Sequence, residues 1–189
     1  MDAMRICSSL WMALGLIWLL AMVRTKRTQE RAGSRERVLY GFLVVAAFIA
    51  IFADWRILEP LNRSLWPRNP ALDAFGTAIT GVGLAFAVWA RFYLGSNWSS
   101  AVSIKVGHEL IRSGPYRWVR HPIYSGLLLA MLGTGLVRGE LRGVVAFVLL
   151  YLGFWVKMRI EDQFMAKTFG EQYQNYALAT GALFPRLRS

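Results

Sequence analysis

The chain has 189 residues, of which 56% are apolar and 17% charged, with 22 lysines and arginines against 11 carboxylates. A water-soluble domain of this length needs a larger charged surface, so the composition excludes an ordinary globular enzyme and points to the membrane class. A single cysteine excludes an internal disulfide and a cysteine-built metal site, and two histidines would leave any metal centre resting on carboxylates.

The first apolar run, residues 6–23, is longer than the core of a signal peptide and lacks a small-residue cleavage site. The basic stretch RTKRTQER follows it and reads as a stop after a retained membrane span. A second run covers 38–53. Residues 59–70, EPLNRSLWPRNP, hold Pro60, Pro67 and Pro70 and predict a non-helical loop. The third run, 71–90, again suffices to cross a hydrocarbon core of ~30 Å at roughly 20 residues. Residues 94–122 are too polar to span and too aromatic for a plain linker; AVSIKV predicts a short extended piece and GHEL a turn. The fourth and fifth runs, 123–137 and 143–156, are shorter and are expected to cross together as a hairpin joined by RGELR. An amphipathic helix follows, interrupted at Gly170 and ended by Gly181 and Pro185. Gly76, Gly81 and Gly83, with Gly126, Ala130 and Thr134, predict close helix packing in lipid.

These elements predict an all-α, integral membrane bundle of about five transmembrane helices in one domain spanning 1–189. Residues 1–94 form three N-terminal spans, and 95–189 a half that carries nearly all the chemistry. With five spans, 16 of the 22 basic residues fall on one side, in 24–37, 91–120 and the C-terminal part. The remaining six fall on the other. The positive-inside rule then puts the N-terminus outside and the C-terminus in the cytoplasm. Nucleic acid is not an expected partner, because the basic residues flank apolar spans rather than form a face.

Two polar clusters lie on the cytoplasmic face of this scheme. One is within GPYRWVRHPIYSG (114–126) and holds Tyr116, Arg117, Arg120, His121 and Tyr124. Pro122 suits a first helical position, so the fourth helix is expected to start there with its N–H groups and positive dipole end at the border, where a carboxylate can dock. The other cluster is Lys157, Arg159, Glu161 and Asp162, in which Lys157 shares a helix face with Glu161 and Arg159 with Asp162. Taken singly, each has a structural explanation: interfacial anchors, an aromatic belt, a salt-bridge partner. Their joint occurrence beside hydrocarbon, where ionisable groups are costly, favours a site.

GHELIRSGPYRWVRHPIYSG together with RIEDQFMAKTFGEQYQNYALATGALFPRL resembles the isoprenylcysteine carboxyl methyltransferase family, especially its short prokaryotic members. The resemblance covers about residues 92–189. Its core, G-x-Y-x-x-x-R-H-P-x-Y with an acidic pair eight residues before F-G-x-x-Y, is shared loosely with phospholipid N-methyltransferases and sterol reductases. It implies a membrane enzyme that uses S-adenosyl-L-methionine at a cytoplasmic-side pocket formed by the C-terminal half, on a lipophilic or prenylated substrate drawn from among membrane lipids. It further implies that His108, Glu109, Leu110 and Ile111 line the cofactor, that Tyr116 packs against it, and that His121, Pro122, Ile123, Tyr124 and Glu161 bind it. The family's substrate-engaging arginine is Lys157 here, a point charge that cannot grip a carboxylate bidentately; Arg159 is the alternative. The family's upstream glutamine is Ala101. Three other readings compete. One is an NADPH-dependent sterol-type reductase, with Arg112, Arg117 and Arg120 for the 2′-phosphate. Another is a phospholipid N-methyltransferase. The third is a non-catalytic membrane scaffold.

Overall fold

Five long helices follow the five apolar runs in the computed structural model, which describes residues 2–22, 28–31, 33–95, 103–105 and 110–186. They are α1 (Ala3–Met22), α2 (Ser34–Phe52), α3 (Pro70–Leu94), α4 (Pro122–Arg138) and α5 (Leu141–Phe169), and a short α6 (Glu171–Ala179) comes last. Asn69 caps α3 by accepting from the Ala71 N–H at 2.9 Å, with Pro70 in the first turn. Pro122 opens α4 as expected, with His121 as its N-cap. Gly170, at φ +52°, stops α5 in a conformation that side chains other than glycine's resist.

Helices α1, α3 and α5 are long and apolar enough to cross a membrane, and α4 is a shorter apolar helix. The exterior is apolar as well: Met12, Leu20, Phe42, Phe75 and Val82 are each 60–68% exposed. Helices greasy on the outside as well as within need lipid around them, which makes this an integral membrane protein.

The amphipathic helix expected after the fifth run is continuous with it, one 29-residue helix running through Lys157 to Phe169 and stopping at Gly170 as expected. The polar residues there keep the helical hydrogen bonding, so the site carboxylates ride on a membrane-anchored rod. The 59–70 loop, expected to be non-helical, is helical in part, since a 3-10 turn runs over Arg56–Leu61 with Pro60 inside it. The extended piece expected near AVSIKV is a strand, Ser103–Lys105, paired antiparallel with Thr28–Arg31. This ribbon ties the segment after α1 to the segment after α3.

Small residues set the tightest packing. A Cβ added at Gly83 would lie 2.5 Å from the Ala130 nitrogen and 2.6 Å from the Gly126 oxygen; one at Gly133 would lie 2.6 Å from the Thr80 nitrogen. Helices α3 and α4 therefore touch backbone to backbone, running antiparallel. Gly81, grouped with these residues from the sequence, faces open space instead. Between them Thr80 and Thr134 are 3.2 Å apart, and Thr134 accepts from the Trp11 indole at 3.0 Å, so the buried hydroxyls have partners from α1.

Two buried arginines serve helix ends. Arg91 donates to Ala21 O at 2.9 Å, at the end of α1. Arg142 donates to Ala50 O at 2.6 Å, to Ala53 O and to Asn62 Oδ1 at 3.1 Å, at the end of α2. The last carbonyls of a helix have no partner within it and carry its negative dipole end, so a guanidinium there satisfies both. One apolar core cluster draws residues from all five helices, from Trp11 to Met158. It ends at Tyr116, Ile123 and Tyr124, beneath the polar corner.

Candidate functional site

Helix α4 begins where α5 leaves the apolar core, and this crossing brings the two polar clusters together. His121 Nε2 lies 2.8 Å from Asp162 Oδ1, and its Nδ1 lies 3.4 Å from Glu161 Oε2. Tyr124, one turn along α4, donates its O–H to Glu161 Oε1 at 2.6 Å. A single buried imidazole is thus held between two carboxylates that are neighbours in sequence. Asp162 is further gripped by the Tyr173 O–H from α6 and by Arg120, whose Nη2 is 3.7 Å from Oδ2.

Aromatic faces line the same corner. The Tyr124 ring stacks between His121, at 5.6 Å and 15°, and Phe154, at 4.6 Å and 23°. Lys157, one turn before Glu161, holds its Nζ 5.4 Å from the centroids of both Tyr124 and Tyr40. Tyr40 comes from α2, in the half of the chain for which no chemical role was expected.

The C-terminal residues strap the corner in place. The amides of Arg120 and His121 donate to Gly181 O and Ala182 O at 2.9 and 3.0 Å, and Ser125 Oγ donates to Leu183 O at 2.7 Å. Arg120 Nη1 donates to Ala177 O and Thr180 O at the end of α6. The Tyr176 O–H closes on Tyr116 O at 2.6 Å. The amides of the two residues just before α4 are therefore taken by the chain itself.

Burial works against a charged His121, but the hydrogen bonds to Asp162 and Glu161 and both negative charges outweigh it, and its pKa is raised above the ordinary value. Burial pushes the Tyr116 and Tyr173 hydroxyls well up, Glu161 adding to the first and the bond to Asp162 to the second. Tyr176 is pushed up to about 12, chiefly by burial. All three remain neutral O–H donors at physiological pH.

Of the residues singled out in the sequence, the structure brings together Tyr116, His121, Pro122, Ile123, Tyr124, Lys157 and Glu161. Leu110 and Ile111 are half-buried, and Ile111 packs on the core beneath the corner. His108 and Glu109 lie outside the described residues, as does Ala101. Arg159 is not brought in. It is exposed, with its guanidinium carbon 4.4 Å from the centroid of the half-exposed Trp155 ring, because it sits about 200° around the helix from Lys157. Its expected partner Asp162 turns to His121 instead. Sequence reasoning placed Asp162 in the second polar cluster without giving it a role of its own, and missed Tyr173 and Tyr40. Tyr173 stood inside the family motif, as the tyrosine of FGEQY; Tyr40 carried no signal.

Glu161 receives one O–H and one imidazole contact, and a carboxylate has about four lone-pair positions, so capacity to accept from a ligand remains.

Comparison with known proteins bears on the family and the fold. A family model described as phospholipid methyltransferase matches residues 72–172. The cobalt-zinc-cadmium resistance protein CzcN of Cupriavidus metallidurans is 34% identical over 122 residues, 63% of this chain and 51% of that protein. A probable protein-S-isoprenylcysteine O-methyltransferase of Oryza sativa subsp. indica is 39% identical over 71 residues, 37% of each chain. The chain thus spans about half the length or less of these relatives. The fold matches a solved eukaryotic intramembrane Ras methyltransferase, an isoprenylcysteine carboxyl methyltransferase, with a TM-score of 0.57 and 23% identity, covering 82% of this chain and 53% of that one. The resemblance seen in the motifs is borne out, and with a family model covering more than half its length the chain belongs to the phospholipid methyltransferase family.

Proposed function

We propose that this protein is an S-adenosyl-L-methionine-dependent methyltransferase acting on a lipophilic acceptor at the membrane, of the isoprenylcysteine carboxyl O-methyltransferase kind. The observation that carries the reading is the buried His121–Glu161–Tyr124 cluster at the start of α4, with Lys157 one turn from Glu161. When bound, the cofactor supplies an electrophilic methyl group, and its transfer needs neither a metal nor much acid–base help. The protein's task is to hold and align, which alone can accelerate a reaction greatly.

Glu161 would accept from the cofactor's hydroxyl or ammonium groups. Tyr116 would pack against the cofactor, Tyr124 would hold Glu161 in place, and Leu110, Ile111, Pro122 and Ile123 would form the apolar wall; His108 and Glu109 belong to the same proposed lining. Lys157 would place the acceptor's negative charge, while Arg159 points elsewhere. The basic-residue asymmetry supports a cytoplasmic site and C-terminus with an outer N-terminus. A soluble cofactor then enters from the cytoplasm, and a lipid-tailed acceptor arrives between helices. The reductase reading loses ground because Arg120 is committed to Asp162 and to the carbonyls of α6.

Calorimetric binding of S-adenosylhomocysteine to the detergent-purified protein tests this, with wild type beside His121→Ala and Glu161→Ala. The expected result is binding that weakens at least tenfold, about 1.4 kcal/mol, in both variants. Absence of binding to folded wild type would refute the proposal.

A further inference from the structure

Asp162 points away from the Glu161 face of α5 and is shared among three elements. It meets His121 at 2.8 Å, takes the Tyr173 hydroxyl from α6, and faces Arg120 at 3.7 Å, while Arg120 in turn holds the last carbonyls of α6. We infer that Asp162, set by Tyr173 and Arg120, is a positioning residue: it fixes the His121 ring so that Nδ1 faces Glu161, and α6 is the brace that holds this relay. The inference rests on the cofactor site proposed above.

The geometry has a direct consequence for the imidazole. With Nε2–H donated to the Asp162 carboxylate, the ring cannot flip without losing a charge-assisted bond in a buried place. In the protonated ring Nδ1–H then faces Glu161 Oε2 as a second donor, and Tyr124 fixes the other oxygen of the same carboxylate at 2.6 Å. Both oxygens of Glu161 are thus oriented before any ligand arrives, one by α4 directly and one through His121. The groups around the imidazole are Glu161 and Asp162 from α5, Tyr124 stacked on it from α4, Arg120 beside it and Tyr173 behind Asp162. Lys157 acts on it through Glu161. A residue that served packing alone would have no reason to control the protonation of His121; a positioning residue must.

The chain has only two histidines, so selective 15N-histidine labelling and ring-nitrogen NMR read His121 directly, with His108→Gln giving the assignment. In Asp162→Asn, which preserves shape, the His121 titration midpoint should move to lower pH, and the preference for Nε2–H should be lost. S-Adenosylhomocysteine affinity should weaken about tenfold in parallel. A midpoint and tautomer unchanged from wild type in folded Asp162→Asn would overturn the inference. If that variant does not fold, Tyr173→Phe decides. Without the competing hydroxyl, Asp162 becomes the stronger base and the His121 midpoint should rise; no movement would again overturn it. The NMR reading stands whether or not wild type binds S-adenosylhomocysteine, so failure of the cofactor proposal and failure of the relay are told apart.

Discussion

Gly83→Ala should destabilise the bundle, whereas Gly81→Ala, two residues away on the same helix, should stabilise it. The new methyl at Gly83 would lie 2.5 Å from Ala130 N and 2.6 Å from Gly126 O, about 0.9 Å short of an ordinary 3.4 Å contact. Both obstacles are main-chain atoms of α4, which no rotamer change can move aside. Overpacking of a tight core costs about 1–3 kcal/mol, and a fixed obstacle belongs at the upper end. The better helix propensity of alanine returns about 1 kcal/mol, leaving a net loss of about 2. At Gly81 nothing lies within 4 Å, so only the gain of about 1 kcal/mol remains. The assay is unfolding of detergent-solubilised protein with increasing dodecyl sulfate, followed by far-ultraviolet circular dichroism. The two variants should differ by about 3 kcal/mol; a difference under about 0.5 kcal/mol, the usual scatter of surface substitutions, would refute a backbone-to-backbone crossing.

Arg142→Met should cost about 3 kcal/mol or more in the same assay. Ala50 O, Ala53 O and Asn62 Oδ1 would lose a buried donor together, at about 1–3 kcal/mol per unsatisfied group. Stability should also depend on pH through His121. Its pKa is raised in the folded state, so its contribution is complete below the unfolded value of about 6.5 and is lost as pH rises through the folded value. Unfolding of wild type beside His121→Gln over the neutral to alkaline range should show that loss in wild type alone. Finally, Arg159→Ala should leave S-adenosylhomocysteine affinity unchanged, because this side chain rests on Trp155, while Lys157→Ala should slow methylation of an anionic lipophilic acceptor at least tenfold. Equal effects of the two substitutions would contradict the separation of their faces on α5.

Much of this architecture was readable because lipid simplifies the problem. Every spanning segment must close its own backbone hydrogen bonds, so apolar length alone located the helices, and Pro122 and Gly170 marked boundaries that the structure keeps. The glycine pattern failed only at Gly81, because spacing names a face and not the neighbour that meets it. The fifth helix runs on past residue 156 as its amphipathic residues led one to expect: hydropathy falls there, but helical hydrogen bonding does not depend on hydropathy.

The site was legible to the extent that its members share a helix face, and opaque wherever partners come from elsewhere. Lys157 and Glu161 lie one turn apart and were paired from their numbers; Arg159 and Asp162 satisfied the same rule and yet diverge. What separates the two cases is what surrounds each residue. Asp162 has a histidine, a tyrosine and an arginine within reach on α4 and α6, each worth more to a carboxylate in a buried place than one exposed guanidinium. Arg159, left on the outer face, gains by lying flat on Trp155 with its charge still wet. Tyr40 reaches Lys157 across the α2–α5 contact, where Gly153 lets the helices approach. The N-terminal helices thus do more than anchor: α2 supplies one of the two rings that hold Lys157, and α3 seats the first turns of α4, where Gly126 meets Gly83 and Ala87 backbone to backbone, just past the histidine that meets both acids.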